Sequence, residues 1–277
     1  MSNKSIEQIT INKILAGHLI SAEDKVATEE PLGIQLAYSS ANGRLLKQIA
    51  VTMRTPGHDE ELAAGFLFTE GVIHNPLAID HIKQVTADDN QVLVTLKENI
   101  FPDLSNAVRN FYSTSSCGIC GKASIEAIRT VSPYGAEPDQ FCIQASLFYP
   151  LQKELKKHQL IFEDTGGIHA CALFDLTGNL MMMREDVGRH NALDKLIGTA
   201  VLNDQLPLTN CILLLSGRAS FELVQKAVMA GIKIIAAVGA PSSLAVDMAK
   251  ESGVTLIGFL RDDRFNIYAG AQRIVVP

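Results

Sequence analysis

From residue 34 onward, apolar and polar positions alternate with the period of two that a half-buried strand requires. GIQLAYSS and LLKQIAVTM carry this pattern on either side of Asn42-Gly43, a turn pair that tolerates positive φ, and predict a hairpin over residues 34–53. The period then lengthens. PGHDEELAAGFLFTEG predicts a helix: Pro56 suits a first turn, the acidic residues at 59–61 complement the helix dipole, and Gly71 can close the far end. Two further strands are expected at 82–85 and 92–96, joined by Asp88-Asp89-Asn90. A cysteine loop, SSCGICGK, and a short helix in GKASIEAIRTV close this strand-rich unit, which spans residues 1–132 with the loop at 113–122.

SPYGAEPD, residues 132–139, has the proline, glycine and polar content of a linker. Beyond it, residues 140–277 follow a different pattern. LQKELKKH predicts a helix with Leu151 and Leu155 on one face, and IHACALF and LMMMR predict two strands across the turn Thr177-Gly178-Asn179. A helix over about 187–200 follows, then the strand CILLLS, the helix ASFELVQKAVMAG, the strand KIIAAVG, the helix SSLAVDMAKESG and the strand VTLIGFL. The later strands are almost continuously apolar, as in a sheet covered on both faces. The order α-β-β-α-β-α-β-α-β predicts a three-layer α/β sheet, mostly parallel after an opening hairpin, which is the order of the cytidine deaminase-like fold. Neither internal repeats nor low-complexity segments occur.

Composition narrows the classes. With 277 residues, 47% hydrophobic and 19% charged, the chain can form a core. A net charge of -6 argues against a general nucleic-acid binder, though not against a local basic pocket for one anion. MSNKSIEQIT lacks the apolar core of a signal peptide, and no uncharged run approaches the ~18 residues needed to span a bilayer, so a cytoplasmic protein without membrane contact is expected. Five irregularly spaced cysteines are not a disulfide framework. Cys142, Cys171 and Cys211 stand singly and are expected to be small buried hydrophobes.

Cys117 and Cys120 form the one C-x-x-C. A zinc deaminase needs H-x-E and then P-C-x-x-C at successive helix starts. REDVGRHNALDK offers His190 without the glutamate, SGRASFELVQK has no cysteine, and His169-Ala170-Cys171 lacks the carboxylate that would shuttle the proton. Deamination is excluded at this site, and no metal ligand set is assigned. Structural zinc would find only two of four ligands in the pair, with His169 and Cys171 completing it only if the fold brought them close. Two thiol chemistries suit the loop better. Gly118 and Gly121 leave it flexible, while the following helix start and Lys122 favour a thiolate. Such a thiolate can carry a sulfane sulfur, or exchange disulfides with the second cysteine resolving. A thioredoxin-type oxidoreductase would place its pair directly after a strand, which FPDLSNAVRNFYSTSS does not supply.

A ligand of the α/β half is expected where loops leave the carboxyl ends of the strands. Ser216-Gly217-Arg218-Ala219-Ser220 and Gly239-Ala240-Pro241-Ser242-Ser243 could each cradle an anion with helix-start amides, or serve simply as helix caps. Neither matches a phosphate-loop or dinucleotide fingerprint. Arg184, Arg189, His190 and Lys195 add positive or ionisable groups, which a solvated helix face paired with Glu185, Asp186 and Asp194 would also explain. Phe259-Leu260-Arg261-Asp262-Asp263-Arg264 places two arginines beyond a strand end, as a phosphate-rich ligand or a plain polar loop would.

SSCGICGK, TGGIHACALF, EDVGRHNALDKLIG, SGRASFELVQKA and GFLRDDRFNIY, in this order, resemble the formate dehydrogenase accessory proteins of the FdhD/NarQ family. The resemblance runs from Arg54-Thr55-Pro56 to the last strand. It implies a sulfur carrier that takes persulfide sulfur from a cysteine desulfurase. The sulfur would pass to the molybdenum bis(molybdopterin guanine dinucleotide) cofactor, or its tungsten equivalent, before insertion into formate dehydrogenase. It also implies a homodimer and no permanent metal. Cys117 would bear the persulfide and Cys120 assist, and the cofactor-binding stretch falls on Phe259, Leu260, Arg261, Asp262, Asp263 and Arg264. Arg189, His190, Ser216, Arg218 and Ser220 extend that surface on chemical grounds. Asp262 and Asp263 depart from the smaller neutral residues common in the family. Two carboxylates facing a pyrophosphate would repel it, so they are expected to turn outward or to hold a cation.

Overall fold

The computed structural model describes residues 4–41, 43–85, 90–104, 130–134 and 141–276. The cysteine loop with Cys117, Cys120 and Lys122, the helix expected after it, Asn42, Asp88, Asp89 and most of the 132–139 stretch lie outside the described residues.

The chain begins with an antiparallel ribbon, β1 (Ile6–Leu15) and β2 (His18–Ala27), which the sequence pattern did not single out. The expected hairpin follows, longer at both ends: β3 (Glu30–Ser40) pairs antiparallel with β4 (Gly43–Arg54). Helix α1 (Asp59–Thr69) and strands β5 (Ile79–Gln84) and β6 (Gln91–Leu96) complete a four-stranded sheet of order β4-β3-β6-β5 with α1 against it.

After the short β7 (Ile143–Gln144) come α2 (Leu151–His158), α3 (Leu160–Thr165), β8 (His169–Asp175), β9 (Leu180–Asp186) and α4 (Arg189–Leu202). The alternation of strand and helix then continues through β10 (Cys211–Leu215), α5 (Phe221–Met229), β11 (Ile234–Ala237), α6 (Ser243–Glu251) and β12 (Thr255–Gly258). Two strands not anticipated, β13 (Asn266–Ala269) and β14 (Ile274–Val275), end the chain. The six-stranded sheet has the order β13-β12-β11-β10-β8-β9. β10, β11 and β12 run parallel; β8 opposes β10 and β9, and β13 opposes β12. The carboxyl ends of β9, β10, β11 and β12 therefore share one edge.

Strand alternation divides the sheet's side chains between two cores. Cys171, Leu173, Leu213, Leu215, Ile235 and Leu256 face α4, α5 and α6. Ala172, Phe174, Ile212, Leu214, Ile234 and Ile257 face Phe148, Leu151 and Leu155. The first core also takes in Leu32, Ile34, Leu62, Phe68 and Val94 from the N-terminal sheet and α1. The segments on either side of residues 132–139 thus share one hydrophobic core, and Ser132 donates its hydroxyl to the Val228 carbonyl at 2.9 Å.

Candidate functional site

The three described cysteines differ in access. Cys171 and Cys211 are buried, as expected, and burial pushes both thiols up, far up for Cys171. Neither is a nucleophile at neutral pH. Cys142, expected to be buried, is exposed just before β7. Among the described residues no three His, Cys, Asp or Glu side chains cluster as metal ligands.

The segment EDVGRHNALDK is not a solvated helix face. Asp186, Asn191, Asp194 and Lys195 are buried against the N-terminal unit. Lys195 Nζ lies 2.7 Å from Asp186 Oδ2 and donates to the Thr55 carbonyl at 2.8 Å. Asp186 also accepts from the backbone N–H groups of Thr55 and Gly188, and Asn191 donates to the Met53 carbonyl. Burial pushes the Asp186 carboxyl up, against the pull of Lys195. Arg184 forms a two-pronged pair with Glu61, and Glu185 accepts from the first amides of α3, at Ile161 and Phe162. These are structural roles: buried charges kept by full pairing. Arg189 and His190, one turn away, remain half-exposed.

At the carboxyl edge, glycines let the loops touch backbone to backbone. A Cβ on Gly239 would lie 2.9 Å from both the Gly217 carbonyl oxygen and the Arg218 nitrogen, and the two loops bond directly, Gly239 N–H to Gly217 O at 2.8 Å. Ser242 N–H donates to Ala219 O, and Phe259 N–H to Gly239 O. Phe259 turns at φ 53°, a left-handed conformation rarely taken by an aromatic residue. A cavity of about 280 Å³ opens there, lined by Phe259, Arg261, Arg264 and Asn266.

Leu260 was expected on this surface, but its side chain is 0% exposed and belongs to the core beneath, because alternation at the strand end turns it inward. Arg261 Nη1 donates to the carbonyls of Val238 (2.8 Å) and Leu260 (2.7 Å), so part of this guanidinium braces the loop. Asp262 and Asp263 are exposed and do not line the cavity; Asp263 Oδ1 lies 4.0 Å from Arg264 Nη1. Asn266, missed by the sequence reading, completes the wall from β13.

The remaining positions lie along the same edge. His190 Nε2 is 2.8 Å from Glu222 Oε2, an ion-pair distance outside hydrogen-bond alignment. The Ser220 hydroxyl, at the start of α5, is buried with no hydrogen-bond partner among the described residues, so it does not cap the helix as it could have done. Ser216 Oγ instead accepts from Ala170 N–H at 2.9 Å. Arg218 is exposed. Burial lowers the pKa of His169, helped by Arg189 and His190, so its imidazole is neutral at physiological pH. The edge thus joins arginines, helix starts and spare hydroxyl groups, which suits an anionic, hydrogen-bonding ligand.

Known proteins share this architecture along the whole chain. A protein described as sulfur carrier protein FdhD from Mycolicibacterium paratuberculosis is 47% identical over 271 residues, covering 95% of this chain and 97% of the relative. One of the same description from the archaeon Sulfolobus acidocaldarius is 40% identical over 269 residues, covering 97% and 98%. The crystal structure of a formate dehydrogenase accessory protein from Desulfotalea psychrophila superposes with a TM-score of 0.72 at 25% identity, over 98% of this chain and 99% of that one. Residues 27–275 match the FdhD/NarQ family, and the chain belongs to that family.

Proposed function

We propose that the protein carries sulfur for formate dehydrogenase maturation. The Cys117 thiolate attacks the outer sulfur of a cysteine desulfurase persulfide, and the desulfurase cysteine leaves as a thiolate. The sulfane sulfur is now a persulfide on Cys117, with no net oxidation or reduction. It then passes to the molybdenum (or tungsten) bis-guanine-dinucleotide cofactor, the substrate held at the carboxyl edge. Cys120 assists as the reductant: its thiolate attacks the inner sulfur of the Cys117 persulfide, the outer sulfur leaves as sulfide to the cofactor, and the pair, closed to a disulfide, has supplied the two electrons. The observation that carries this reading is the match, over nearly the full length of both chains, to relatives described as sulfur carriers.

Site chemistry supports it from two sides. Cys171 and Cys211 are sealed in the core and Cys142, although exposed, stands singly in the sequence, so a transfer that uses two neighbouring thiols is assigned to the cysteines of the 113–122 loop. The cavity at Phe259 offers Arg264, whose nearest carboxylate is the exposed Asp263 at 4.0 Å, and part of Arg261 to a pyrophosphate, with Asp262 and Asp263 outside the cavity lining. On the same reading the six-stranded sheet is a cytidine deaminase-like layer put to another use, its helix starts holding a nucleotide-bearing substrate instead of zinc. Tethering the persulfide to the protein that holds the acceptor raises its effective concentration, which suits a transfer that must not lose sulfur to solvent.

Intact-mass measurement tests the assignment. After incubation with a cysteine desulfurase and cysteine, the protein should gain one reducible sulfur and the Cys117→Ala variant none. Equal sulfur on both would remove Cys117 from the role.

A further inference from the structure

A delivery that draws two electrons from Cys117 and Cys120 leaves the pair closed as a disulfide, with no thiol to accept a second sulfur. Loading cannot reopen it, because a sulfane sulfur passes from persulfide to thiolate with no net electron change. Two electrons must therefore reach the pair from other thiols, in this chain or outside it.

Within the chain three of the five cysteines remain, Cys142, Cys171 and Cys211, and all are free thiols. Restoring the pair would require two of these three to close a disulfide themselves, since exchange with a single thiol only moves the bond. The fold keeps them apart. Cys171 lies on β8 and Cys211 on the neighbouring β10, but Cys211 pairs with Asp175 and Cys171 with Leu215. Four residues of strand separate the two. That is about 14 Å at ~3.4 Å per residue, whereas a disulfide needs Cα atoms within about 7 Å. Both side chains belong to the core under α4, α5 and α6. Cys142 precedes β7, whose Ile143 packs in the core on the opposite face of the six-stranded sheet, so the sheet stands between it and the other two.

Access gives the same answer. Burial raises the thiol pKa of Cys171, helped by Asp194 and Asp186, and that of Cys211, helped by Asp175. Cys211 Sγ packs 3.8 Å from the Met181 thioether and not against another thiol. Neither supplies the thiolate that exchange requires at neutral pH. Cys142 alone is accessible, and one thiol gives one electron of the two.

We propose that each sulfur delivery is followed by reduction of the Cys117–Cys120 disulfide by an external thiol reductant, so that loading alternates with thiol regeneration. A reductant thiolate attacks one sulfur of the pair, forms a mixed disulfide and frees the other cysteine as a thiolate. A second reductant thiol breaks the mixed disulfide; the reductant leaves as a disulfide, and its two protons pass to the restored pair. The inference rests on the sulfur-carrier reading with Cys120 as the reductant of the persulfide.

Persulfidated full-length protein, separated from desulfurase and cysteine, is mixed with unsulfurated molybdenum bis-guanine-dinucleotide cofactor, then alkylated and weighed by intact-mass measurement. It should lose one sulfur and take two fewer alkyl groups than protein never loaded. Desulfurase persulfide freed of cysteine should then load no further sulfur until dithiothreitol or glutathione is added. Restoration by dithiothreitol alone identifies the reductant as a dithiol, and restoration by both admits a monothiol. Cys142→Ser, a substitution at an exposed position, should behave as the wild type. Both thiols alkylated after delivery, or a second sulfur accepted without added thiol, would overturn the inference. So would a wild type that cycles unaided while Cys142→Ser does not, since that reveals an internal dithiol. Failure of the carrier reading shows earlier, as a wild type that gains no first sulfur or does not discharge it to the cofactor, and it takes this inference with it.

Discussion

Gly65 of α1 and Gly198 of α4 face each other where the two helices cross. A methyl group built on Gly65 would lie 2.8 Å from the Gly198 nitrogen, and one built on Gly198 would lie 2.9 Å from the Gly65 nitrogen. Each would also overlap a carbonyl oxygen, of Asp194 and Glu61 respectively. This contact brings the N-terminal unit against the helix that starts at Arg189 and His190. Alanine at either position would gain up to ~1 kcal/mol of helix propensity. Forcing the backbones apart costs about 1–3 kcal/mol or more, and that term wins. Gly65→Ala and Gly198→Ala should each lose about 1–2 kcal/mol in denaturant unfolding, and the double variant less than the sum. A stabilised Gly65→Ala would show that the helices do not meet this closely.

Beneath that crossing, Lys226 Nζ sits 2.9 Å from Asp194 Oδ2, 2.9 Å from Glu70 Oε1 and 2.9 Å from the Thr69 hydroxyl. Burial works against the ammonium, but Asp194 and Glu70 outweigh it and hold its pKa above the ordinary lysine value. Lys226→Met strands the buried Asp194 carboxylate with one hydrogen-bond donor, Thr69. Such a loss is expected to cost about 3–5 kcal/mol. Adding Asp194→Leu should restore part of it, because the apolar pair no longer buries a lone charge. If the double variant is the less stable one, the pair contributes more than its own desolvation.

Glu61 gives the protein an acid limit. Burial alone would raise its pKa, yet hydrogen bonds from Arg184 and His58 outweigh burial and lower it from 4.5 to about 2. A depressed folded-state pKa adds stability that is complete above the unfolded value and lost as pH falls through the folded one. The window is therefore pH 4.5 down to about 2. Because Glu61 keeps some solvent contact, the contribution should be about 1–2 kcal/mol rather than the full shift. Unfolding titrations in that window should show a shallower pH slope for Glu61→Gln than for the wild type; parallel slopes would place the acid sensitivity elsewhere.

Elements whose side chains must divide between core and solvent left a mark in the sequence. α1, α4, α5 and the apolar β10, β11 and β12 fall where their patterns put them. The β1–β2 ribbon left none, since it buries neither face fully: Ile14, Leu15 and Leu19 are 60% or more exposed. β13 and β14 are too short to show a period. Around residues 184–195 charge patterning could not tell a wet face from a buried interface, because the deciding partners, Met53, Thr55 and Glu61, stand more than 120 positions earlier. The arginines near 259–264 were legible as positive groups just beyond a strand end, and Arg261 and Arg264 do line one cavity there. The burial of Gln159 was not legible, since a polar residue ending a charged helix looks solvated until the fold closes over it.

Phe259 combines two features that a loop serving only the fold would not need. Its backbone holds φ 53°, and its ring, 42% exposed, lines the cavity with Arg261, Arg264 and Asn266. A left-handed non-glycine residue costs about 1–2 kcal/mol. Glycine would remove that strain, offset by its greater freedom in the unfolded chain. Phe259→Gly should therefore unfold at the wild-type free energy or up to about 1 kcal/mol above it. If the cofactor binds here as proposed, the exposed ring would be missed by it instead: guanine nucleotide retained on cofactor-loaded protein should fall about tenfold, the value of one stacking contact. Phe259→Leu keeps the strain and loses the stacking, so it should share the binding defect without the gain in stability. If Phe259→Gly instead destabilises the protein by more than about 1 kcal/mol, the ring anchors the loop, and the strain at this position is structural rather than a mark of the site.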